Sequence, residues 1–216
     1  MSQMENESLI TDKEYIRGVI RKSVVSHDQI TDGQPSSSFK KPIEDVPVEF
    51  WRNFQANGGK ILRCHTRQDR LRFLQKLADD QQYNVVLNTH DNLSRDLTQA
   101  GMTFVNSIST NMTVDAVVVL CTSLVACNGS LGFTQPVSRF VSMRNIARDV
   151  IVISRMSDIV PDLESALLRN RKFGDDAGME FITPSPLPKE NGREVRTPQH
   201  PRYILLLLDE NRPQNA

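Results

Sequence analysis

Helical and strand-like spacings of apolar residues alternate along the middle of the chain. Residues 47–57, 68–78 and 92–100 place apolar side chains at helical intervals, whereas the apolar runs at Lys60–Cys64 and residues 84–88 are typical of buried strands. Helices and strands that alternate at these lengths predict parallel strands joined by crossover helices. The pattern therefore predicts an α/β fold with a Rossmann-like, mostly parallel sheet.

The second half of the chain is richer in strands. Apolar runs at residues 116–120, 124–127 and 149–153 predict three of them, and Asn128-Gly129 is a strong signal for a tight hairpin. The final run, Arg202–Leu208, is apolar on both faces and is predicted to lie centrally in the sheet. We therefore expect a β-hairpin unit to be added to the main sheet.

Shorter elements are predicted between these strands. A helix is predicted to begin at Pro161 and to run through Leu168, with Asp158 as its capping residue. Residues 180–182 are predicted to form a short strand. Residues 183–201 contain five prolines and no helical period, which predicts a loop on the surface.

The N-terminal region differs in pattern from the rest of the chain. Residues 14–25 carry four apolar side chains at helical spacing: Ile16, Val19, Ile20 and Val24. Residues 26–46 contain few apolar side chains and are typical of a linker. We therefore predict an amphipathic helix and linker at residues 1–46 and an α/β domain at residues 47–216. The helix either caps that domain or docks onto a partner.

Charge and composition exclude several classes of protein. The 26 basic residues equal the 26 acidic ones, which removes the attraction that dominates sequence-independent binding to nucleic acid. No apolar run approaches the length of a membrane span, and the polar, acidic start has no signal core. We expect a cytoplasmic protein with neither a nucleic-acid nor a membrane partner. Its three cysteines predict no disulfide framework.

Known catalytic and cofactor motifs are missing from the sequence. It has no GxGxxG or GxxxxGK[ST] loop, so a nucleotide cofactor has no support, and we predict no cofactor. Cys121 and Cys127 lie six apart without a CxxC pair, which favours buried cysteines over a metal site. His65 and His90 follow strands, where α/β sheets bind ligands, but neither belongs to a nucleophile motif.

One segment concentrates polar groups that suit an anion. Residues 121–132 contain hydroxyls, an amide and two glycines, and Arg139 and Arg144 follow closely. Such a segment offers hydrogen-bond donors to a carboxylate or phosphate, with arginine supplying a charge-assisted contact. The alternative is a simple hairpin with a polar turn.

Several motifs resemble the LUD-domain family, which includes the LutC and YkgG proteins of bacterial lactate utilisation. In the central stretch, Asp115-Ala116 begins a strand, Thr122-Ser123 forms a turn, and Arg139 follows. Residues 159–167 read IVPDLESAL and resemble the opening of a family helix. Later motifs that resemble the family are Ile182-Thr183-Pro184-Ser185, His200-Pro201 and the strand that closes at Asp209. Because family glycines are replaced at Cys121-Thr122-Ser123 and at residues 198–201, the chain resembles a divergent member.

The resemblance implies a fold similar to the NagB/RpiA/CoA-transferase-like group. It also implies a LutC-like, non-redox accessory role in organic-acid metabolism, in which L-lactate is oxidised to pyruvate beside iron–sulfur partner subunits. The chain lacks cysteine clusters, so it would be the component without iron–sulfur clusters. Together with the polar segment, the resemblance predicts these ligand-binding residues: Thr122, Ser123, Asn128, Gly129, Arg139 and His200.

Two other functions remain open on the sequence. The first is an isomerase- or transferase-like enzyme, or a binding domain, for a small anionic metabolite that is phosphorylated or linked to CoA. An enzyme of this kind needs a carboxylate that converges on the pocket, for which the sequence offers Asp115 and Asp149. The second is a scaffold that docks through the N-terminal amphipathic helix.

Overall fold

The computed structural model describes residues 45–109, 112–134, 146–172 and 178–209. The amphipathic helix predicted at residues 14–25, most of its linker and Arg139 lie outside these residues.

Strands and short helices alternate along the described residues. The strands are β1 (Lys60–Cys64), β2 (Val86–Asn88), β3 (Phe104–Val105), β4 (Val114–Leu120), β5 (Ser123–Val125), β6 (Ser130–Phe133), β7 (Ala147–Arg155), β8 (Ile159–Val160), β9 (Glu180–Ile182), β10 (Lys189–Glu190), β11 (Arg193–Glu194) and β12 (Arg202–Leu208). The α-helices are α1 (Val46–Ala56), α2 (Arg67–Gln81), α3 (Ser94–Gln99) and α4 (Leu163–Lys172). Two 3₁₀ turns lie at Asp91–Leu93 and Met156–Asp158.

The main sheet has six strands in the order β1-β12-β7-β4-β2-β3, and every pairing is parallel. All of its strands therefore end at the same edge. The predicted α/β class with a mostly parallel sheet is confirmed. β12 lies between β1 and β7, as its two apolar faces predicted. The two-residue edge strand β3 was not predicted, because two residues are too few to show a period.

A second sheet has the order β8-β5-β6-β9. The predicted hairpin is present, since β5 and β6 are antiparallel and the turn between them contains Asn128 and Gly129. β9 adds antiparallel to β6, and β8 adds parallel to β5. The added unit is therefore a four-stranded sheet rather than a hairpin alone. In the proline-rich loop, β10 and β11 form a small separate hairpin.

The main sheet is covered on both faces. Side chains of β4 alternate between the two sides, as the period of two in a strand requires. Ala116 and Val118 pack with Leu74 of α2 and Leu97 of α3. On the other face, Val117 and Val119 pack with α1 and the second sheet, through a cluster that includes Phe50, Phe54, Leu124, Leu131 and Phe133. The molecule thus has a helix layer and a layer of α1 and the second sheet, with the main sheet between them.

Most predicted boundaries agree with the structure to within a few residues, and β1, β9 and β12 agree fully. The prediction for the helix after Pro161 was wrong in its start and its cap. The helix begins at Leu163, and Asp162 supplies the capping contact by accepting from the Ser165 nitrogen at 2.8 Å. Asp158 instead binds side chains that line a cavity, described below.

Candidate functional site

A cavity of about 810 Å³ opens at the edge where the parallel strands end. Leu120 at the end of β4, Ile153 near the end of β7 and Leu208 at the end of β12 contribute to its lining. Asn92 and Leu93 join them from the segment that follows β2. β4 and β2 flank the point where the order of strands reverses, since β3 lies outside β2 and the later strands lie on the other side. Open α/β sheets typically bind ligands at such a point.

Arginines dominate the charged lining of this cavity. Five arginines and two aspartates line it, which leaves a formal surplus of three positive charges in a chain of zero net charge. The arginines are Arg67, Arg70, Arg95, Arg155 and Arg169, and the aspartates are Asp96 and Asp158. The cavity is therefore suited to an anion.

The first arginine group lies on the helix layer. Arg67 donates from Nε to Asp96 Oδ1 at 2.9 Å and from Nη2 to the same oxygen. Arg70 pairs through Nη2 with Asp96 Oδ2, so both oxygens of this buried carboxylate hold arginines. Arg95 is exposed and has no acidic partner among the described residues. Asp96 therefore positions two guanidinium groups at the cavity wall.

These arginines stand where a helix normally disfavours positive charge. Thr66 caps α2 in a capping box with Asp69, so Arg67 and Arg70 fall in the first turns. Arg95 is the second residue of α3. Helix N-termini carry partial positive charge, and basic residues there are unfavourable by a few tenths of a kcal/mol or more. Residues that are unfavourable at their position in a helix are frequent at functional sites. The three arginines therefore support an anion-binding role for this wall.

The second arginine group surrounds Asp158. Arg169 of α4 donates from Nη2 to Asp158 Oδ1 at 2.6 Å and from Nη1 to the Ser157 carbonyl at 2.5 Å. Asp158 Oδ2 accepts from Ser154 Oγ at 3.0 Å and from the Arg155 nitrogen at 2.9 Å. Asp158 is thus the residue that organises the end of β7 and draws Arg169 to the cavity.

The structure brings two of the predicted ligand-binding residues to the cavity. Thr122 lies between β4 and β5, Ser123 begins β5, and both contribute to the lining. Thr122 is exposed and Ser123 is buried, with 1% of its surface accessible. Thr134 and Ser154 add further hydroxyls. The role of these residues in binding stays a prediction.

Asn128 and Gly129 lie away from the cavity lining, under α1. Asn57 donates from Nδ2 to the Asn128 carbonyl at 2.8 Å, and Asn128 Oδ1 accepts from the Ser130 nitrogen at 3.1 Å. Gly129 has a φ of +68°, and a Cβ there would stand 2.5 Å from the Phe54 nitrogen. These contacts show a packing role, because the turn supports the helix rather than facing the cavity.

His200 is separated from Thr122 by the length of the sheet. It is exposed in a turn before β12, where its nitrogen donates to the Thr197 carbonyl at 3.0 Å. That turn lies at the edge where the parallel strands begin, opposite the cavity. His65 and His90 do follow strands at the cavity edge, yet neither contributes to the lining. His200 therefore does not line the cavity that Thr122 lines, and its role in binding stays a prediction. Arg139 lies outside the described residues.

Neither carboxylate proposed for an enzyme converges on the cavity. Asp115 accepts from the Asn84 and Val85 nitrogens at 2.8 and 3.2 Å, at the start of β4. Asp149 is near the start of β7 and is bound by arginines. Both therefore lie at the opposite edge, because the strands are parallel.

The Cys121 thiol at the cavity is also unsuited to chemistry. Burial raises the pKa of this thiol to about 12, and Sγ donates to the Ser123 and Gly132 carbonyls at 3.1 and 3.2 Å. Since the thiolate is the nucleophile, Cys121 stays unreactive at neutral pH. Cys64 is similarly buried, and its pKa is raised to about 11 by burial.

Comparison with known proteins shows a likeness to solved structures. No protein-family model matches the chain, and no curated protein is significantly similar to it in sequence. A solved structure of a DUF162 family protein from Deinococcus radiodurans covers 76% of this chain and 96% of its own, with a TM-score of 0.56 and 12% identity. The two chains share a fold.

Sequence reasoning missed all five of the arginines that line the cavity. The DUF162 likeness supports the fold alone, and these residues come from the geometry of this chain. A usable signal was nevertheless present: Arg67 and Arg95 follow strands and lie at the starts of helices, where the helix dipole disfavours them.

None of the helices in the described residues is long and apolar enough to cross a membrane.

Proposed function

We propose that this protein binds a small organic anion in the arginine-lined cavity and acts in the cytoplasm as a LutC-like, non-redox component of organic-acid metabolism. The observation that carries the proposal is the convergence of five arginines at the carboxyl edge of the parallel sheet. Guanidinium groups bind carboxylates and phosphates through paired, charge-assisted hydrogen bonds. The hydroxyls of Thr122 and Ser123 add neutral hydrogen-bonding groups beside them.

The geometry favours binding over catalysis. Asp96 and Asp158 use both carboxylate oxygens on arginine, serine or backbone donors, so they act as anchors for the arginines. The Cys121 thiol, with its pKa raised to about 12 by burial, is neutral at neutral pH. A general base must reach a substrate proton, and these groups are already engaged. An isomerase- or transferase-like activity therefore has less support than an accessory, ligand-binding role.

Replacing Arg95 with glutamine is expected to weaken anion binding about tenfold, because losing one charge-assisted hydrogen bond costs about 1.5 kcal/mol. The measurement is isothermal titration with L-lactate, pyruvate and inorganic phosphate. Arg72→Gln is the matched control, since Arg72 is exposed on α2 outside the cavity lining. Equal affinities in the two variants would remove Arg95 from the site. Absence of binding of all three anions, and of the dicarboxylate succinate, to the unmodified protein would contradict the proposal.

The proposed partners are iron–sulfur oxidoreductase subunits that oxidise L-lactate to pyruvate. This part rests on the motifs that resemble LUD proteins. We expect the tagged protein, purified from its own cells grown on lactate, to bring down subunits with iron–sulfur cysteine clusters, identified by mass spectrometry. The comparison is the same tag on a chain that begins at residue 45. If neither the full chain nor the shortened chain brought down such subunits, a stable complex would be contradicted.

A further inference from the structure

The five cavity arginines belong to two groups, one on the helix layer and the other on β7 of the main sheet and on α4 of the opposite layer. The helix-side group, Arg67, Arg70 and Arg95, comes from α2 and α3, which pack on one face of the main sheet. The strand-side group, Arg155 and Arg169, comes from the end of β7 and from α4. α4 packs on β5 and β8 of the second sheet, which covers the other face. The cavity therefore has positive charge on two facing sides.

Each group is held by its own buried or partly buried aspartate. Asp96 binds two arginines of the helix-side group, and its side chain is 4% exposed. Asp158 binds Arg169 and the Arg155 backbone in the strand-side group, and its side chain is 13% exposed. Guanidinium groups fixed in this way lose less conformational freedom when a ligand binds. Asp96 thus preorganises Arg67 and Arg70 in the helix-side group, and Asp158 preorganises Arg169 in the strand-side group.

Three aliphatic side chains also line the cavity. Leu120, Ile153 and Leu208 come from the ends of β4, β7 and β12, which are consecutive neighbours in the sheet. Neighbouring strands lie about 4.8 Å apart, so three strand ends make an apolar floor about 10 Å wide. Such a floor suits a short carbon chain, while the charged walls suit its ends.

We infer that the ligand is a short aliphatic anion with a charged group at each end, such as a dicarboxylate, a phosphocarboxylate or a bisphosphate. This inference rests on the proposed function and names the ligand class of the same cavity. One end binds the helix-side arginines and the other binds the strand-side arginines. Both arginine groups then contact the same ligand. An anion with a charged group at one end only, here called one-ended, such as lactate, contacts one of the two groups.

Titration calorimetry with one-ended and two-ended anions tests this. The one-ended probes are L-lactate and inorganic phosphate, and the two-ended probes are succinate, 3-phosphoglycerate and fructose 1,6-bisphosphate. We expect at least one two-ended probe to bind at least tenfold more tightly than both one-ended probes. The probe with the lowest Kd identifies whether carboxylate or phosphate ends are preferred.

Single substitutions in each arginine group test the two walls of the cavity separately. Arg95→Gln and Arg155→Gln each remove one arginine from one group, and each is expected to raise the Kd of the best two-ended probe about tenfold. Either variant should also reduce the advantage of that probe over the one-ended anions. Arg72→Gln is the control on α2, and Arg95→Lys and Arg155→Lys test whether charge alone suffices. Thermal unfolding of each variant confirms that it is folded.

The outcomes distinguish the inference from the proposed function. If one-ended and two-ended anions bind equally and an arginine variant weakens both, the two-ended ligand is wrong and the anion site stands. Loss of two-ended binding in only one of the two glutamine variants likewise overturns the two-wall arrangement. If no anion binds the unmodified protein, the proposed function fails and the inference with it.

Discussion

Replacing Asp149 with asparagine is expected to lower the free energy of unfolding by about 3 to 5 kcal/mol, because it leaves two arginines without their buried counter-charge. Asp149 is fully buried, and Arg202 donates to its two oxygens at 2.9 and 3.0 Å. Arg196 adds a contact at 3.1 Å. Removing one partner of a buried pair is costly, since the other charge stays out of water.

Denaturant unfolding of matched variants measures this effect. Asp80→Asn, at an exposed position of α2, is the control and is expected to change stability by less than about 0.5 kcal/mol. Tyr83→Phe removes one hydrogen bond, which the Tyr83 hydroxyl donates to Asp149 at 2.7 Å, and is expected to cost about 1 kcal/mol. Burial and the neighbouring Asp149 charge raise the pKa of Tyr83, so the hydroxyl remains a donor. Equal stability of Asp149→Asn and Asp80→Asn would contradict the prediction.

Replacing Gly129 with alanine is expected to cost about 2 to 4 kcal/mol without changing anion affinity. The left-handed conformation, with a φ of +68°, costs about 1 kcal/mol for a residue with a Cβ. The remainder comes from α1, because the new Cβ would stand 2.5 Å from the Phe54 nitrogen and 2.8 Å from its Cα. Those are backbone atoms, so the whole helix must move.

Gly101→Ala is a close control for this prediction. Gly101 has a φ of +71°, but no heavy atom lies within 4 Å of the position its Cβ would take. The expected cost of alanine at this position is the backbone strain alone, about 1 kcal/mol. Denaturant unfolding should therefore separate the two variants by at least about 1 kcal/mol. A loss of anion binding in folded Gly129→Ala would restore the ligand-binding role predicted from the sequence.

Asn128 and Gly129 illustrate what the sequence reveals about a turn and what it does not. Asn128-Gly129 was correctly predicted as a hairpin turn, since turn chemistry is local. Its assignment as part of an anion site rested on polar composition, which does not reveal that α1 packs against the turn. The position of His200 away from the cavity has a related explanation. The edge of the sheet at which a loop lies depends on the direction of every strand, and the sequence alone does not give those directions.

The sequence by itself determined the α/β class, the parallel sheet and most element boundaries, because the periods of 3.6 and 2 are written in neighbouring residues. It also placed Thr122 and Ser123 directly after a predicted strand. Only the tertiary structure decided which charges share a cavity. Arg67 and Asp96 are 29 positions apart, and they meet because α2 and α3 pack on the same face of the sheet. Contacts between distant segments depend on strand order and layer, which no local pattern encodes.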